Sequence, residues 1–478
     1  MRTFNFRWLA SIASGPLLFM VLLFANPFDL SQKAATTLAI AAWMIIWWIL
    51  EAIPMSVVAL LPLLLFPLFN ISTIKETAVS YGDSILFLFL GGFMIGLAIE
   101  KWNLHKRIAL NIVNITGTSG DRIVLGFIMA TGFISMWLSN TATTMMMFPI
   151  AASVIQVVSE NRKGQGNIAN FSLAIMLSIA YASNFGGIAT IIGTPPNVAF
   201  AAFMHDRYNH TISFVQWIVM CMPIALLLLF ILYLVLTKWL HPNKLKKDAQ
   251  TGELIRKEIS SLGPMSGAEK KVLTVFIITA LLWITKDLIN DLGFIRLDDT
   301  MIAVMGAISL FAIPSGSSEE GRRMLLEWPD TTKMAWGILY LFGGGIALAA
   351  ALEKAGLIQQ MGTWISGFAG TDILFLVVSI AFISIFVSEV MSNIAQVIVF
   401  APVIGGIADA LKINPLMLGI PMTLAASCAS MLPMGTPPNA IVFASGHVPI
   451  KKMVIVGLVM NLISVILISL YAWLVIEK

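Results

Sequence analysis

Two short motifs, each present twice, could do chemistry in this chain. Ser139-Asn140 recurs as Ser392-Asn393, and Gly193-Thr194-Pro195-Pro196-Asn197 recurs as Gly435-Thr436-Pro437-Pro438-Asn439. Ser and Asn offer hydroxyl, amide and exposed backbone groups at a turn. Asn140, Thr141 and Asn393 could donate to a carboxylate, while Ser135, Ser139 and Ser388 could help ligate Na+. Helix capping at a tight turn calls on the same residue types. Thr-Pro-Pro inside an apolar helix removes two backbone donors and frees the carbonyls they would have bonded. Gly193 and Gly435 are expected to add backbone freedom there. Unwound carbonyls are hard oxygen ligands suited to Na+, and the half-helix that follows favours an anion at its N-terminus. A plain proline kink is the alternative, and two matched copies argue against it.

No Lys, Arg or His occurs in 123–159, 164–204 or 374–411, and 413–450 holds His447 alone. An anion here would meet dipoles and no fixed positive side chain. Burying it uncompensated is costly, so cations bound with it are the natural partner. Coupling to protons usually shows as an acid or His within the membrane. Glu389, three residues before Ser392, is the candidate proton carrier or indirect Na+ ligand; a hydrogen-bonded structural carboxylate is the favoured reading. No nucleophile–base pair or metal-ligand cluster suggests an enzyme.

The elements that must position these motifs are membrane spans. The chain has 478 residues, 58% hydrophobic and 11% charged, with mean hydropathy +0.90. Soluble domains are about 45–50% apolar and about 25% charged. The net charge of +4 carries no nucleic-acid signal, since the bases sit in short clusters between apolar runs. Cys221 and Cys428 read as free core thiols. Trp8–Ala25 follows a basic start without a clear small-residue cleavage pattern, which favours an uncleaved first span.

Spans need roughly 20 apolar residues. Candidates are 8–27, 36–50, 54–69, 84–100, 171–204, 212–239, 271–289, 299–314, 335–352, 414–446 and 452–475. Segments 122–158 and 373–409 are too long for one span and carry Ser-Asn near their middles. Both suit hairpins that enter the membrane and turn back, which is tolerated where protein or a water-filled cavity surrounds the turn. With a cytoplasmic N-terminus (Arg2, Arg7) and non-crossing hairpins, these basic clusters fall inside: Lys101, Lys106 and Arg107; Arg162 and Lys163; the loop with Lys244, Lys246, Lys247, Arg256, Lys257, Lys270 and Lys271; Arg322 and Arg323; Lys451 and Lys452. The C-terminus is then outside. The expected fold is an all-α polytopic membrane protein of about 11 transmembrane helices plus two re-entrant helical hairpins.

The halves repeat. Ile85 to Gly92 with Glu100-Lys101, and Ile338 to Gly345 with Glu353-Lys354, share an offset of 253 with Ser135/Ser388 and the two Ser-Asn pairs. The Gly-Thr-Pro-Pro-Asn motifs are offset by 242, which fits a longer first-half loop around Glu160–Asn170. The topology makes these inverted repeats, whose broken helices point to a midplane transport site. Glu100-Lys101 and Glu353-Lys354 read as span-end charges. The expected division is first-half scaffold 1–120, first-half transport domain 121–240, cytoplasmic loop 241–270, second-half scaffold 271–371 and second-half transport domain 372–478.

These motifs resemble the divalent anion/Na+ symporter family, the dicarboxylate and citrate transporters related to INDY. The resemblance covers nearly the whole chain and lies in the paired Ser-Asn-Thr and Thr-Pro-Pro motifs. It implies a homodimer in the inner (plasma) membrane, with a mobile transport domain that moves by an elevator mechanism against a scaffold. It implies one Na+ site at Ser135, Ser139, Asn140 and Gly193, and a second at Ser388, Met391 through its backbone, Asn393 and Gly435. Substrate carboxylates would be held by Asn140, Thr141, Ser392 and Asn393, with Thr194, Pro195, Thr436 and Pro437 closing the pocket. Ile394 stands where the second motif would have Thr, deleting a hydroxyl and adding bulk beside the substrate.

The expected activity is import of C4-dicarboxylates such as succinate, malate or fumarate with Na+. Citrate or sulfate transport is an alternative within the family. A Na+-independent dicarboxylate exchanger is another, against which the lack of basic residues near the motifs counts.

Overall fold

The structure is a computed structural model that describes residues 6–161, 167–245, 249–293, 295–316, 323–360 and 372–476. Arg2, Arg162, Lys163, Lys246, Lys247 and Arg322 of the charge argument lie outside the described residues.

Among the described residues the regular structure is helical, apart from one isolated bridge between Pro314 and Met324. The first half runs α1 (Phe6–Ala25), α2 (Gln32–Leu50), α3 (Met55–Val58), α4 (Leu61–Leu68), α5 (Ile74–Val79), α6 (Ser84–Lys101), α7 (Leu104–Thr116), α8 (Gly120–Ser135), α9 (Asn140–Asn161), α10 (Ile168–Gly187), α11 (Pro195–Tyr208) and α12 (Phe214–Leu234). Then follow α13 (Ala249–Ser261), α14 (Gly267–Asp291), α15 (Asp299–Ala312), α16 (Trp336–Lys354), α17 (Ile373–Val387), α18 (Asn393–Leu411), α19 (Pro415–Ser427), α20 (Pro437–Ala444) and α21 (Ile450–Val475). Ten helical stretches among the described residues are long and apolar enough to cross a membrane. The chain is a multi-pass membrane protein.

The expected span 54–69 is broken into α3 and α4 at Ala59–Leu60, where Pro62 lacks the N–H that would continue the ladder; Pro54 caps α3 and Pro67 lies inside α4. The polar loop 241–270 holds a helix, α13, that packs on α7 and α9. Ile255 is buried in that contact and Lys106 pairs with Glu258 at 3.7 Å. Buried Cys221 and Cys428 are free thiols.

Both expected hairpins are pairs of helices joined by a short turn, α8–α9 and α17–α18. Ion pairs show that neither pair amounts to a single crossing. Arg107 meets Glu269 at 2.9 Å, Lys101 meets Asp330 at 2.6 Å, and Lys238 meets Asp121 at 2.5 Å. All of these join segments that the eleven-span reading places at one end of the bundle. Arg207 meets Glu353 at 2.9 Å and Asp409 at 2.6 Å, and Lys286 meets Asp299 at 2.8 Å, all at the other end. Had α8–α9 crossed once, Lys106 and Glu258 would stand at opposite ends. Had α17–α18 crossed once, Arg207 and Asp409 would.

The repeat is visible in the packing. Each hairpin brackets the first piece of a broken helix: α8 and α9 hold α10, and α17 and α18 hold α19. The second pieces are exchanged between halves, α20 packing on α9 and α10, and α11 on α18 and α19. Glycines permit the closest approaches outside this assembly. A Cβ at Gly91 would stand 2.6 Å from the Ala303 backbone of α15, and one at Gly344 would collide with the Ala59 carbonyl.

Candidate functional site: two helix breaks and two hairpin turns

The breaks form where the sequence places Thr-Pro-Pro. Thr194 and Thr436 are both extended (φ −144°, ψ 140° and φ −143°, ψ 149°), and the two prolines occupy the first turn of the helix that follows. Proline suits that position because its missing N–H would have no intrahelical partner there. The prolines thus begin new helices rather than kink one.

Asn197 and Asn439, the last residues of the motifs, brace the breaks. The Asn197 amide donates to the carbonyls of Gly187 (3.2 Å) and Thr190 (2.8 Å). Asn439 donates to Ala429 (3.4 Å) and Leu432 (3.2 Å), the same positions after the offset of 242. Both side chains are fully buried. Part of the unwound carbonyl capacity is therefore taken by protein; the Ile188 carbonyl likewise accepts from Trp217 Nε1 at 3.1 Å.

Gly193 and Gly435 were expected to supply backbone freedom, and the structure corrects this. Neither has positive φ. They serve close approach instead: a Cβ at Gly193 would strike the Gly187 carbonyl, and one at Gly435 would stand 2.9 Å from Glu389 Oε2.

The hairpin turns match each other. Ser135 donates its hydroxyl to Asn140 Oδ1 at 2.7 Å, and Ser388 donates to Asn393 Oδ1 at 2.6 Å. Both serines are fully buried, and both asparagines are half-buried at the start of a helix. Ser139 caps its turn by accepting from the Ala142 N–H at 3.2 Å. Capping thus accompanies whatever else Ser139 does. Met391 is buried; Thr141, Ser392 and Ile394 are half-buried beside the asparagines. Thr194 is buried, Pro195 half-buried and Pro437 exposed.

The structure brings Ser135, Asn140, Gly187 and Gly193 into one cluster, where a Cβ at Gly187 would stand 2.5 Å from Asn140 Oδ1. It brings Ser388, Asn393 and the Ala426 carbonyl into another, the single Ser388 hydroxyl proton being shared between Asn393 Oδ1 at 2.6 Å and the Ala426 carbonyl at 2.7 Å. Asn184 joins the first cluster to Thr436, accepting from the Asn140 amide at 3.4 Å and donating to Thr436 Oγ1 at 3.2 Å. Sequence reasoning missed Asn184 and gave no role to Asn197 and Asn439. The available signal was an amide within an otherwise apolar span.

Glu389 is a hydrogen-bonded carboxylate. It is 3% exposed and accepts from the N–H groups of Ser430 (2.8 Å), Met431 (2.8 Å) and Leu432 (2.9 Å), and from Asn461 Nδ2 (2.7 Å). The three backbone donors lie in the second helix break, between α19 and α20, and Asn461 reaches the carboxylate from α21. Glu353, read as a span-end charge, is the partner of Arg207. A cleft of about 260 Å³ beside that pair is lined by Asp83, Asp206, Phe203, Phe342 and Ile398, and by none of the motif residues.

The chain matches the family described as the sodium:sulfate symporter transmembrane region over residues 6–476. It belongs to that symporter family. Relatives within reach include the sodium-dependent dicarboxylate transporter SdcS of Staphylococcus saprophyticus subsp. saprophyticus, 39% identical over 478 residues, which span 99% of this chain and 92% of the relative. SdcS of Staphylococcus aureus is 40% identical over 480 residues, with the same coverage. In structure the symporter chain is similar to the Alcanivorax borkumensis YdaH transporter, with a TM-score of 0.57 at 13% identity over 83% of this chain and 85% of that one. That likeness concerns the fold alone.

Proposed function

We propose that this symporter imports C4-dicarboxylates, namely succinate, malate and fumarate, together with Na+. The observation that carries the reading is the matched pair of Ser–Asn clusters, in segments that contain no Lys, Arg or His. The names of the Staphylococcus relatives support it.

Na+ is cargo here. One ion is taken by Ser135, Ser139, Asn140 and the Gly193 carbonyl, and a second by Ser388, the Met391 carbonyl, Asn393 and Gly435. The donor set fits: hydroxyl, amide and carbonyl oxygens are hard and neutral, and two such sites supply the charge a dianion needs. At 4 Å and an effective dielectric of about 20, each Na+–carboxylate contact is worth about 4 kcal/mol. Asn140, Thr141, Ser392 and Asn393 then donate to the carboxylates, with Thr194, Pro195, Thr436 and Pro437 closing around them.

Filling the site with cations first makes anion entry favourable, which is the coupling a symporter requires. Segments 121–240 and 372–478 then move as a transport domain against the scaffold, by an elevator motion, in a homodimer in the plasma membrane with the N-terminus cytoplasmic. Proteoliposome uptake of labelled succinate under competition tests the substrate class. Excess malate and fumarate should abolish uptake, while citrate and sulfate compete weakly. Stronger inhibition by citrate or sulfate than by malate would reassign the substrate.

A further inference from the structure

Asn184 bridges the two halves of the site. Its side chain is 1% exposed, at the point in α10 that faces both the first hairpin turn and the start of α20. Ser135 Oγ donates to Asn140 Oδ1 (2.7 Å), Asn140 Nδ2 donates to Asn184 Oδ1 (3.4 Å), and Asn184 Nδ2 donates to Thr436 Oγ1 (3.2 Å). Thr436 Oγ1 accepts in turn from the Asn439 N–H (3.4 Å). A continuous hydrogen-bond chain therefore runs from the first cluster into the second half's Thr-Pro-Pro motif.

Among the described residues no matching chain joins the second cluster to Thr194. The residue at the same place after the offset of 242 is Ala426, which has no polar side chain and only its carbonyl to offer Ser388.

The chemistry of the chain gives Asn184 a direction-setting part. A hydroxyl both donates and accepts, so Ser135 alone cannot decide which end of the Asn140 amide faces it. With its NH2 donated to Thr436 Oγ1, Asn184 presents Oδ1, which only accepts, to Asn140. It draws the Asn140 NH2 toward itself and leaves the Asn140 oxygen turned to Ser135, where a cation needs it. Without Asn184 the amide is free to flip and present its NH2 to the cation.

We propose that Asn184 is a positioning residue that couples cation binding at Ser135 and Asn140 to anion binding at Thr436. This rests on the Na+-coupled dicarboxylate reading above. Cation binding tightens the Asn140 oxygen, the chain passes that orientation to Thr436, and Thr436 is then set for the carboxylate. Coupling between sites is a free energy and is reciprocal, typically worth a factor of about 5–150 in affinity.

The test is succinate affinity measured by calorimetry on the purified full chain at low and at saturating Na+. Wild type should bind succinate far more tightly at saturating Na+, and the ratio of the two affinities is the coupling. In Asn184→Ala that ratio should shrink about tenfold, within the range such couplings span. Asn184→Leu, which keeps the volume without the hydrogen bonds, should behave alike. If Asn184→Ala does not survive purification, Asn184→Leu carries the test, and Thr436→Val cuts the same chain at its far end. A ratio equal to wild type in these variants overturns the proposal, even if both affinities fall together. A wild-type affinity indifferent to Na+ overturns the parent reading, and this inference with it.

Discussion

Ser388 donates its hydroxyl to Asn393 Oδ1 at 2.6 Å, the bond that Ser135 makes to Asn140 at 2.7 Å in the first half. In each half the asparagine oxygen faces a buried hydroxyl and its NH2 is turned away from it. Hydrogen bonds to charged groups contribute about 1.5–3 kcal/mol, so Asn140→Ala and Asn393→Ala should each cut succinate uptake by about tenfold or more. Gel filtration should show both variants folded. Normal uptake in both would remove these asparagines from the site.

Ile394 occupies the position that Thr141 holds in the first half. Restoring the hydroxyl with Ile394→Thr should change the order in which dicarboxylates, citrate and sulfate compete, while the dependence on Na+ persists. An unchanged order would mean that residue 394 does not face the substrate.

Glu389→Gln tests whether the carboxylate is a brace or a proton carrier. Gln would turn an NH2 toward N–H donors that now share two carboxylate oxygens. Leaving a buried donor unpaired costs about 1–3 kcal/mol, so the melting temperature should fall while the pH profile of uptake keeps its shape. A flattened pH profile at unchanged stability would make Glu389 a proton carrier.

Much of this was legible in the sequence because the motifs are built from residues with few uses in an apolar helix. Thr-Pro-Pro cannot continue a helix, so the breaks at 194 and 436 were fixed by the prolines themselves. The basic clusters implied that neither hairpin crosses, and the Arg207–Asp409 and Lys106–Glu258 pairs agree. Asn184 stood out only as one amide in an apolar span; its role was not legible, because its partner Thr436 lies 252 residues away. The role of Gly193 was misread for a similar reason. A glycine needed for close approach looks the same in sequence as one needed for its dihedral freedom, and only the position of the Gly187 carbonyl separates them.

Asp206 gives the protein a pH dependence apart from the motifs. Asp83, His205 and Asp206 each bring a ligand-type atom within 4.8 Å of the others. Burial, then the charge of Asp83 and a hydrogen bond to it, push Asp206 up to about 7. The unfolded chain ionises such a group near pH 4. The folded state therefore carries no penalty below that pH, loses stability progressively from about pH 4 to about pH 7, and stays level above. Next to Asp206 stand Arg207, paired with Glu353 and Asp409, and the His205 imidazole, which bonds Thr211. Melting temperatures across that window should decline less in Asp206→Asn than in wild type. Parallel declines would place the titration elsewhere.

The coupling of anion to cation is tested most directly by a Na+ gradient as the sole driving force. Proteoliposomes holding the purified chain, with Na+ outside and none inside, should concentrate labelled succinate above its external level and lose it when the gradient collapses. Uptake that ignores the gradient but rises with unlabelled dicarboxylate inside the vesicles would contradict symport and make the protein an exchanger.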